Sequence, residues 1–190
     1  MIDIRGRRII RNGRPCLIMA GEVHYFRLAR GDWAQRLDAL QEVGCDCVAS
    51  YIPWLFHELP DGTIDVVGHS RPERDLAAFI DECAERGLSF LARPGPFVMA
   101  ELKNEGLPYR LYEEHPQILP TGWDGAPAPT RTVDYLAPAF LAEVDRWYAA
   151  VMPILAARLE PMGGPVLGVQ LDNEIGMLAW VSNSPEPGRT

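Results

Sequence analysis

The sequence predicts an α/β protein with a parallel sheet, preceded by a short N-terminal β-hairpin. Three observations carry this. Four continuous apolar runs, at 16–20, 47–52, 88–92 and 165–171, read as strands buried on both faces. Segments of helical period stand between them, and strands alternating with helices imply right-handed crossovers within one parallel sheet. The first 14 residues follow another rule: Ile2 and Ile4 precede a turn at 5–8, Ile9 and Ile10 follow it, and Asn12-Gly13 makes a second turn.

The elements justify themselves in chain order. After the hairpin, the run at 16–20 is the first interior strand. Asp32 stands where an N-cap belongs, and Trp33, Leu37, Leu40 and Val43 then share one helical face up to Gly44 at the C′ position. The run at 47–52 follows. Asp75 caps a second helix with Leu76, Phe79, Ile80 and Cys83 on its face, closed by Gly87. Beyond the run at 88–92, residues 95–138 show little periodicity and are rich in Pro, Gly and aromatics. That stretch is too long for a plain connection; 121–129 is its most turn-rich part, and such loops often cover a site. A long helix then carries Phe140, Val144, Trp147, Val151 and Leu155 in step, with a kink expected at Pro153 and a break at Gly163-Gly164 before the fourth run.

Composition narrows the function. The 190 residues are 47% apolar, enough for a core, so a wholly disordered chain is excluded. The net charge is −8, and the basic residues, 17 of them Arg, are scattered without a cluster, which argues against nucleic acid. No apolar stretch is long enough to span a membrane, and residues 1–10 lack the apolar core of a secretory signal. Cys16, Cys45, Cys47 and Cys83 fit neither a redox CxxC nor a zinc knuckle; they read as buried free thiols, and a cytoplasmic location is expected. No GxGxxG follows the first strand and no phosphate-loop motif occurs, so nucleotide cofactors are not expected.

In parallel sheets ligands bind at the carboxyl ends of strands. The residues there are 21–27 with Glu22, His24, Tyr25 and Phe26; 51–58 with Tyr51, Trp54, His57 and Glu58; 93–101 with Arg93 and Glu101; and 172–174 with Asp172, Asn173 and Glu174. Tyr25, Phe26, Tyr51 and Trp54 offer flat faces that suit a sugar ring. Glu22, Glu58, Glu101, Asp172 and Glu174 offer acceptors for hydroxyls, and two carboxylates can do acid–base work. His24 and His57 fit either structural hydrogen bonds or metal ligation with Glu22 or Glu58; without HExxH or paired spacing the first is favoured, and no metal is expected. Arg93 fits a turn, a carboxylate partner or a substrate contact. Glu174 fits either a catalytic carboxyl or an ordinary carboxylate at a helix start. Trp33 and Trp147 read as core, and Trp123 in the loop has no assigned role.

Five motifs in series carry a resemblance: GEVHYFR at 21–27, YIPW at 51–54 with His57-Glu58, RPGPF at 93–97 with Ala100-Glu101, GLP at 106–108, and GGPV at 163–166 running into VQLDNE at 169–174. Together they resemble glycoside hydrolase family 35, the β-galactosidases that act from the non-reducing end. The resemblance runs from about residue 9 to 176. It implies a (β/α)8 TIM barrel, of which this chain supplies the first half, about four βα units, after the hairpin. It implies retention of configuration by double displacement. It makes Glu174 the general acid/base, Asn173 the partner of the sugar 2-hydroxyl, and Tyr51, Ala100 and Glu101 further galactose contacts, Ala100 through its backbone.

The chain departs from the family pattern at Asp172 and Ile175, where Glu and Tyr are usual, and at Met99 and Leu102, where Cys and Trp are common. The family's nucleophile is a Glu on the seventh strand, and nothing here matches it. Residues 1–190 therefore read as the N-terminal portion of a catalytic domain, stopping after the fourth strand. Such a half barrel has two open strand edges, so the remaining half of the barrel or a homo-oligomer partner is expected. Two functions follow: a retaining β-galactosidase holding the acid/base half of its site, or a non-catalytic half barrel that binds carbohydrate or needs a partner chain. A coding sequence continuing past Thr190 would favour the first.

Overall fold

The computed structural model describes residues 2–121, 126 and 133–174. The N-terminal segment forms three strands rather than a two-stranded hairpin: β1 (Ile2–Arg5), β2 (Arg8–Arg11) and β3 (Arg14–Cys16), antiparallel in that order. Both turns use left-handed backbone at both central positions, with φ of 53° and 66° at Gly6 and Arg7 and of 52° and 78° at Asn12 and Gly13. That geometry matches the strand twist, and it pairs Ile4 with Ile9 and Ile9 with Cys16.

The run at 16–20 does not form one buried strand. Cys16 closes β3, and only Ala20 enters the next strand, β4 (Ala20–Glu22). Leu17 and Met19, between the two sheets, are exposed. The physical reason is position: among the described residues β4 is an outermost strand, so apolar residues near it have a neighbouring strand on one side only.

From here the order follows the expected alternation. Helix α1 (Trp33–Glu42) buries Trp33 and Leu37, while Val43 lies beyond it in the open. Asp32 is helical and its side chain makes no cap; a turn of 3-10 helix at Arg30–Asp32 starts α1 instead. Strand β5 (Cys47–Tyr51) is buried throughout, and a one-turn helix α2 (Trp54–His57) follows. Asp75 does cap α3 (Leu76–Glu85), accepting from the Ala78 amide at 2.9 Å. Strand β6 (Ser89–Gly95) runs three residues past the apolar run, so Arg93 lies within the sheet.

The long insertion contains a short helix, α4 (Arg110–Glu114), among turns. Most of 121–129, including Trp123, lies outside the described residues. Helix α5 (Pro138–Ala156) buries the whole predicted stripe of Phe140, Val144, Trp147, Val151 and Leu155. It continues through Pro153, where one ladder bond is lost close to the helix end. It stops well before Gly163-Gly164. Those two glycines serve instead to lead into β7 (Val166–Leu171): Gly163 has φ of 85°, and a Cβ on Gly164 would lie 2.1 Å from the Arg158 carbonyl oxygen.

The main sheet is parallel, in the order β4-β5-β6-β7. Helix α1 packs on α3 and α3 on α5. The core between helices and sheet holds Trp33, Phe79, Phe90 and Tyr25, with the Trp54 and Trp147 rings stacked at 5.7 Å. The register of β5 on β6 sets Tyr51 beside Arg93, and this pairing organises the site. Among the described residues no helix is long and apolar enough to cross a membrane.

Candidate active site

The carboxyl ends of the four parallel strands converge on one arginine. Arg93, largely buried at the end of β6, sends one terminal nitrogen to the Glu22 carboxylate on β4. The other donates to the Tyr51 hydroxyl on β5 and, at 3.0 Å, to Oδ1 of Asn173 just past β7. Its guanidinium carbon lies 3.7 Å from the centre of the Tyr51 ring. Arginine suits this place because it carries five donors in a rigid planar fork and keeps its charge. Of the alternatives left by the sequence, Arg93 takes the carboxylate-partner role.

Asn173 is held from three sides. Oδ1 also accepts from Gln170 at 3.3 Å, and Nδ2 donates to the Val98 carbonyl at 3.3 Å. Asp172 and Glu174 flank it with left-handed backbone, φ of 63° and 49°. Non-glycine residues adopt that region at a cost and are held there by surrounding contacts. Here the contacts are visible. The Asp172 carboxylate accepts from the Phe97 amide at 3.1 Å and the Tyr135 hydroxyl at 3.0 Å, and its amide donates to the Gly95 carbonyl. Burial raises the Asp172 carboxyl above its ordinary range, against the pull of those hydrogen bonds. Oδ1 of Asp172 is thus engaged in holding the loop at 95–97 and Tyr135 to the strand end. Glu174 is exposed at the strand end; Ile175 and Gly176 lie outside the described residues.

Ala100 and Glu101 sit in a second left-handed stretch, with φ of 54°, 52° and 49° at Met99, Ala100 and Glu101. Arg27 pins it by donating to the Ala100 carbonyl. The same guanidinium reaches the Glu101 carboxylate at 4.0 Å, and Glu101 points into solvent. Arg27 occurs in the first motif, yet nothing in its spacing assigns it this role.

The structure brings Tyr51, Arg93 and Asn173 into direct contact, ties Ala100 and Glu101 to the same edge through Arg27, and places Glu174 next to Asn173. Burial foremost raises the Tyr51 hydroxyl above its ordinary range, Arg93 opposes this, and the carboxylates of Glu22, Glu174 and Glu101 add to it. His24 stacks on Phe26 and leans on Tyr51, each ring centre 5.4 Å away, and its Nε2 is 3.4 Å from Glu22. Burial foremost lowers its imidazole, and Arg27 and Arg93 lower it further against Glu22.

Other expected site residues belong elsewhere. Tyr25 and Trp54 are fully buried and offer no face to a ligand. The Tyr25 hydroxyl meets His57 Nε2 at 2.6 Å, and His57 Nδ1 meets the Asp65 carbonyl at 2.6 Å, so His57 is a structural histidine. Glu58 is also buried. It accepts from Trp54 Nε1 at 2.9 Å, Arg110 Nε at 2.9 Å and Arg146 at 2.7 Å. These guanidinium contacts hold α2, α4 and α5 together, with Glu143 as the second anion. Hydrogen bonds led by Arg110 pull the Glu143 carboxyl down to about 2. Glu114, His115 and Glu143 stand close enough to share a cation, but the Arg110 guanidinium already bridges Glu114 and Glu143, each at 2.6 Å. The four cysteines are free thiols.

At the strand ends of the parallel sheet, carboxylates, an arginine, an asparagine and a tyrosine gather into one candidate site. Comparison with known proteins sharpens this. The family model "Glycosyl hydrolases family 35" matches residues 8–185, and the chain belongs to that family. It is 36% identical to a β-1,2-glucosyltransferase from Ignavibacterium album over 93% of this chain, and 35% identical to an exo-β-D-glucosaminidase from Thermococcus kodakarensis over 91%. It is 34% identical to a β-galactosidase from Bos taurus over 92%. The chain spans only 25%, 22% and 24% of those relatives. Among solved structures, a β-galactosidase from Halorubrum lacusprofundi matches 84% of this chain and 22% of its own length, with a TM-score of 0.65 at 20% identity. That likeness speaks for the fold.

Proposed function

We propose that this chain carries the acid/base half of a retaining glycoside hydrolase that removes terminal β-galactosyl residues. The observation that supports this best is the convergence of Tyr51, Arg93 and Asn173 at the strand ends, with Glu174 adjacent. In this reading Asn173 holds the sugar 2-hydroxyl, and Tyr51, Glu101 and the Ala100 backbone hold the rest of the ring. Glu174 gives its proton to the departing glycosidic oxygen as a second carboxylate attacks the anomeric carbon. A glycosyl-enzyme forms; Glu174 then takes a proton from water as it attacks the anomeric carbon, the enzyme carboxylate departs, and the sugar is released with retention. That mechanism sets the two carboxyls ~5 Å apart, and the attacking one is supplied from outside these 190 residues.

The same reading makes residues 1–190 one part of a (β/α)8 barrel. The strands β4 and β7, outermost among the described residues, then take further neighbours from the rest of the barrel, or from a second copy. The free thiols suit a reducing, cytoplasmic setting.

The test is sugar binding and turnover by the chain itself. Methyl β-galactoside should give saturation-transfer signals that Tyr51→Phe and Asn173→Ala weaken, and an aryl β-galactoside should not be hydrolysed. Absence of binding would refute the site. Hydrolysis abolished by Glu174→Gln would refute the external nucleophile.

A further inference from the structure

Arg93 does more than join strands, because it constrains which atoms its partners have left. A guanidinium donates hydrogen bonds and accepts none. The Asn173 atom facing it at 3.0 Å must therefore be the amide oxygen, and the Gln170 amide nitrogen at 3.3 Å presses on the same oxygen. The acceptor of Asn173 is thus turned inward. Its Nδ2 carries two hydrogens, of which the Val98 carbonyl takes one. The other has no acceptor among the described residues. The same logic holds at Tyr51: its oxygen accepts from Arg93, so its hydroxyl hydrogen is free to be donated.

We propose that Arg93 is a positioning residue that sets the hydrogen-bond polarity of the site. It engages the oxygens of Tyr51 and Asn173, so that Asn173, whose oxygen takes two donors, faces the ligand as a donor. The sugar atom opposite Asn173 must accept. A neutral hydroxyl does so; a sugar ammonium, which only donates, does not. Resting on the proposed placement of the sugar 2-position against Asn173, this selects neutral β-glycosides over 2-amino-2-deoxy sugars.

The nearby anions do not reverse the preference. Glu22 is already paired with Arg93 and lies against His24. Glu101 is 92% exposed and Glu174 is exposed at the strand end, where water and salt screen their pull on a cation. Leaving a donor facing a donor in a partly buried site is the kind of mismatch that binding sites use to reject near-isosteres.

The experiment compares methyl β-galactoside with methyl 2-amino-2-deoxy-β-galactoside, which differ at one atom, by titration calorimetry on the chain below the pKa of the sugar amine. The galactoside is expected to bind roughly tenfold or more tightly, the usual order for one mismatched hydrogen bond. Arg93→Met frees the Tyr51 oxygen and leaves the Asn173 amide held only by the 3.3 Å contacts to Gln170 and Val98, so the ratio should fall. Arg93→Lys, which keeps the charge but loses the fork, should reduce the ratio in part. A role in folding alone would weaken both sugars together and leave the ratio intact. Equal binding of the two sugars to the unaltered chain, or a ratio unmoved by Arg93→Met, overturns the proposal while leaving a sugar site in place. Binding of neither sugar instead overturns the site reading on which it rests.

Discussion

Acidification should destabilise this protein through His57, and the size of the effect follows from its surroundings. His57 is fully buried. The Asp65 carbonyl at Nδ1 accepts only, so Nδ1 carries the hydrogen and Nε2 accepts from the Tyr25 hydroxyl. A second proton on Nε2 would face that hydroxyl in a fully buried site. Burial foremost brings the imidazole down to about 4, against the raising effect of the Asp65 carbonyl bond, while Arg74 lowers it further. The native state therefore binds fewer protons than the unfolded chain, whose histidine titrates near ~6.5. The stability is fully present above that value and is lost as pH falls towards about 4. A difference of ~2.5 units at ~1.4 kcal/mol each gives about 3 kcal/mol. Urea unfolding followed by tryptophan fluorescence, at steps from about pH 7.5 to 4.5, measures it against His57→Gln. The difference curve cancels groups common to both proteins, including His24, which acts in the same direction, and Asp172, which acts in the opposite one. Parallel pH profiles for the two proteins would refute the reasoning.

Three further outcomes are expected. Trp147→Ala should cost ~3–5 kcal/mol in the same unfolding assay, because the indole is fully buried, stacks on Trp54 and donates to the Pro94 carbonyl at 2.9 Å. Gly164→Ala should cost at least ~1–3 kcal/mol, since the added methyl meets the Arg158 backbone 2.1 Å away; an unchanged urea midpoint would contradict that. Glu143, drawn down to about 2 by Arg110, contributes stability present above ~4.5 and lost as pH falls towards about 2; Glu143→Gln should remove about 2 kcal/mol at neutral pH, discounted for partial exposure, and flatten the acid limb.

Much of the site was legible as a list of residues and little of it as geometry. Reading the strand ends singled out Tyr51, Ala100, Glu101, Asn173 and Glu174, and the structure has them at or beyond the ends of β5, β6 and β7. That reading could not separate residues that face a ligand from those that turn back into the core. Tyr25, Trp54, His57 and Glu58 follow the same strand ends, yet each finds a buried or partly buried partner, and the bonds of Tyr25 to His57 and of Glu58 to Arg110 and Arg146 cross tens of residues of chain. Glu58 meets Arg110 and Arg146, neither of which its own segment announces. Arg27 was readable as part of a motif, but its hold on the Ala100 carbonyl depends on the left-handed turn at 99–101.

Local chemistry in the sequence determined the alternation of strands and helices, the buried stripes of α3 and α5, the Asp75 cap and the Asn12-Gly13 turn. Each depends on residues within a few positions, so period and propensity suffice to specify it. The tertiary structure decided the rest. Whether an apolar run is buried on one face or two depends on having a strand beside it, which is why the run at 16–20 divides between two sheets. Which acceptors remain free for a ligand depends on where Arg93 reaches, and that is set by the β5–β6 register, a long-range pairing that no local window contains.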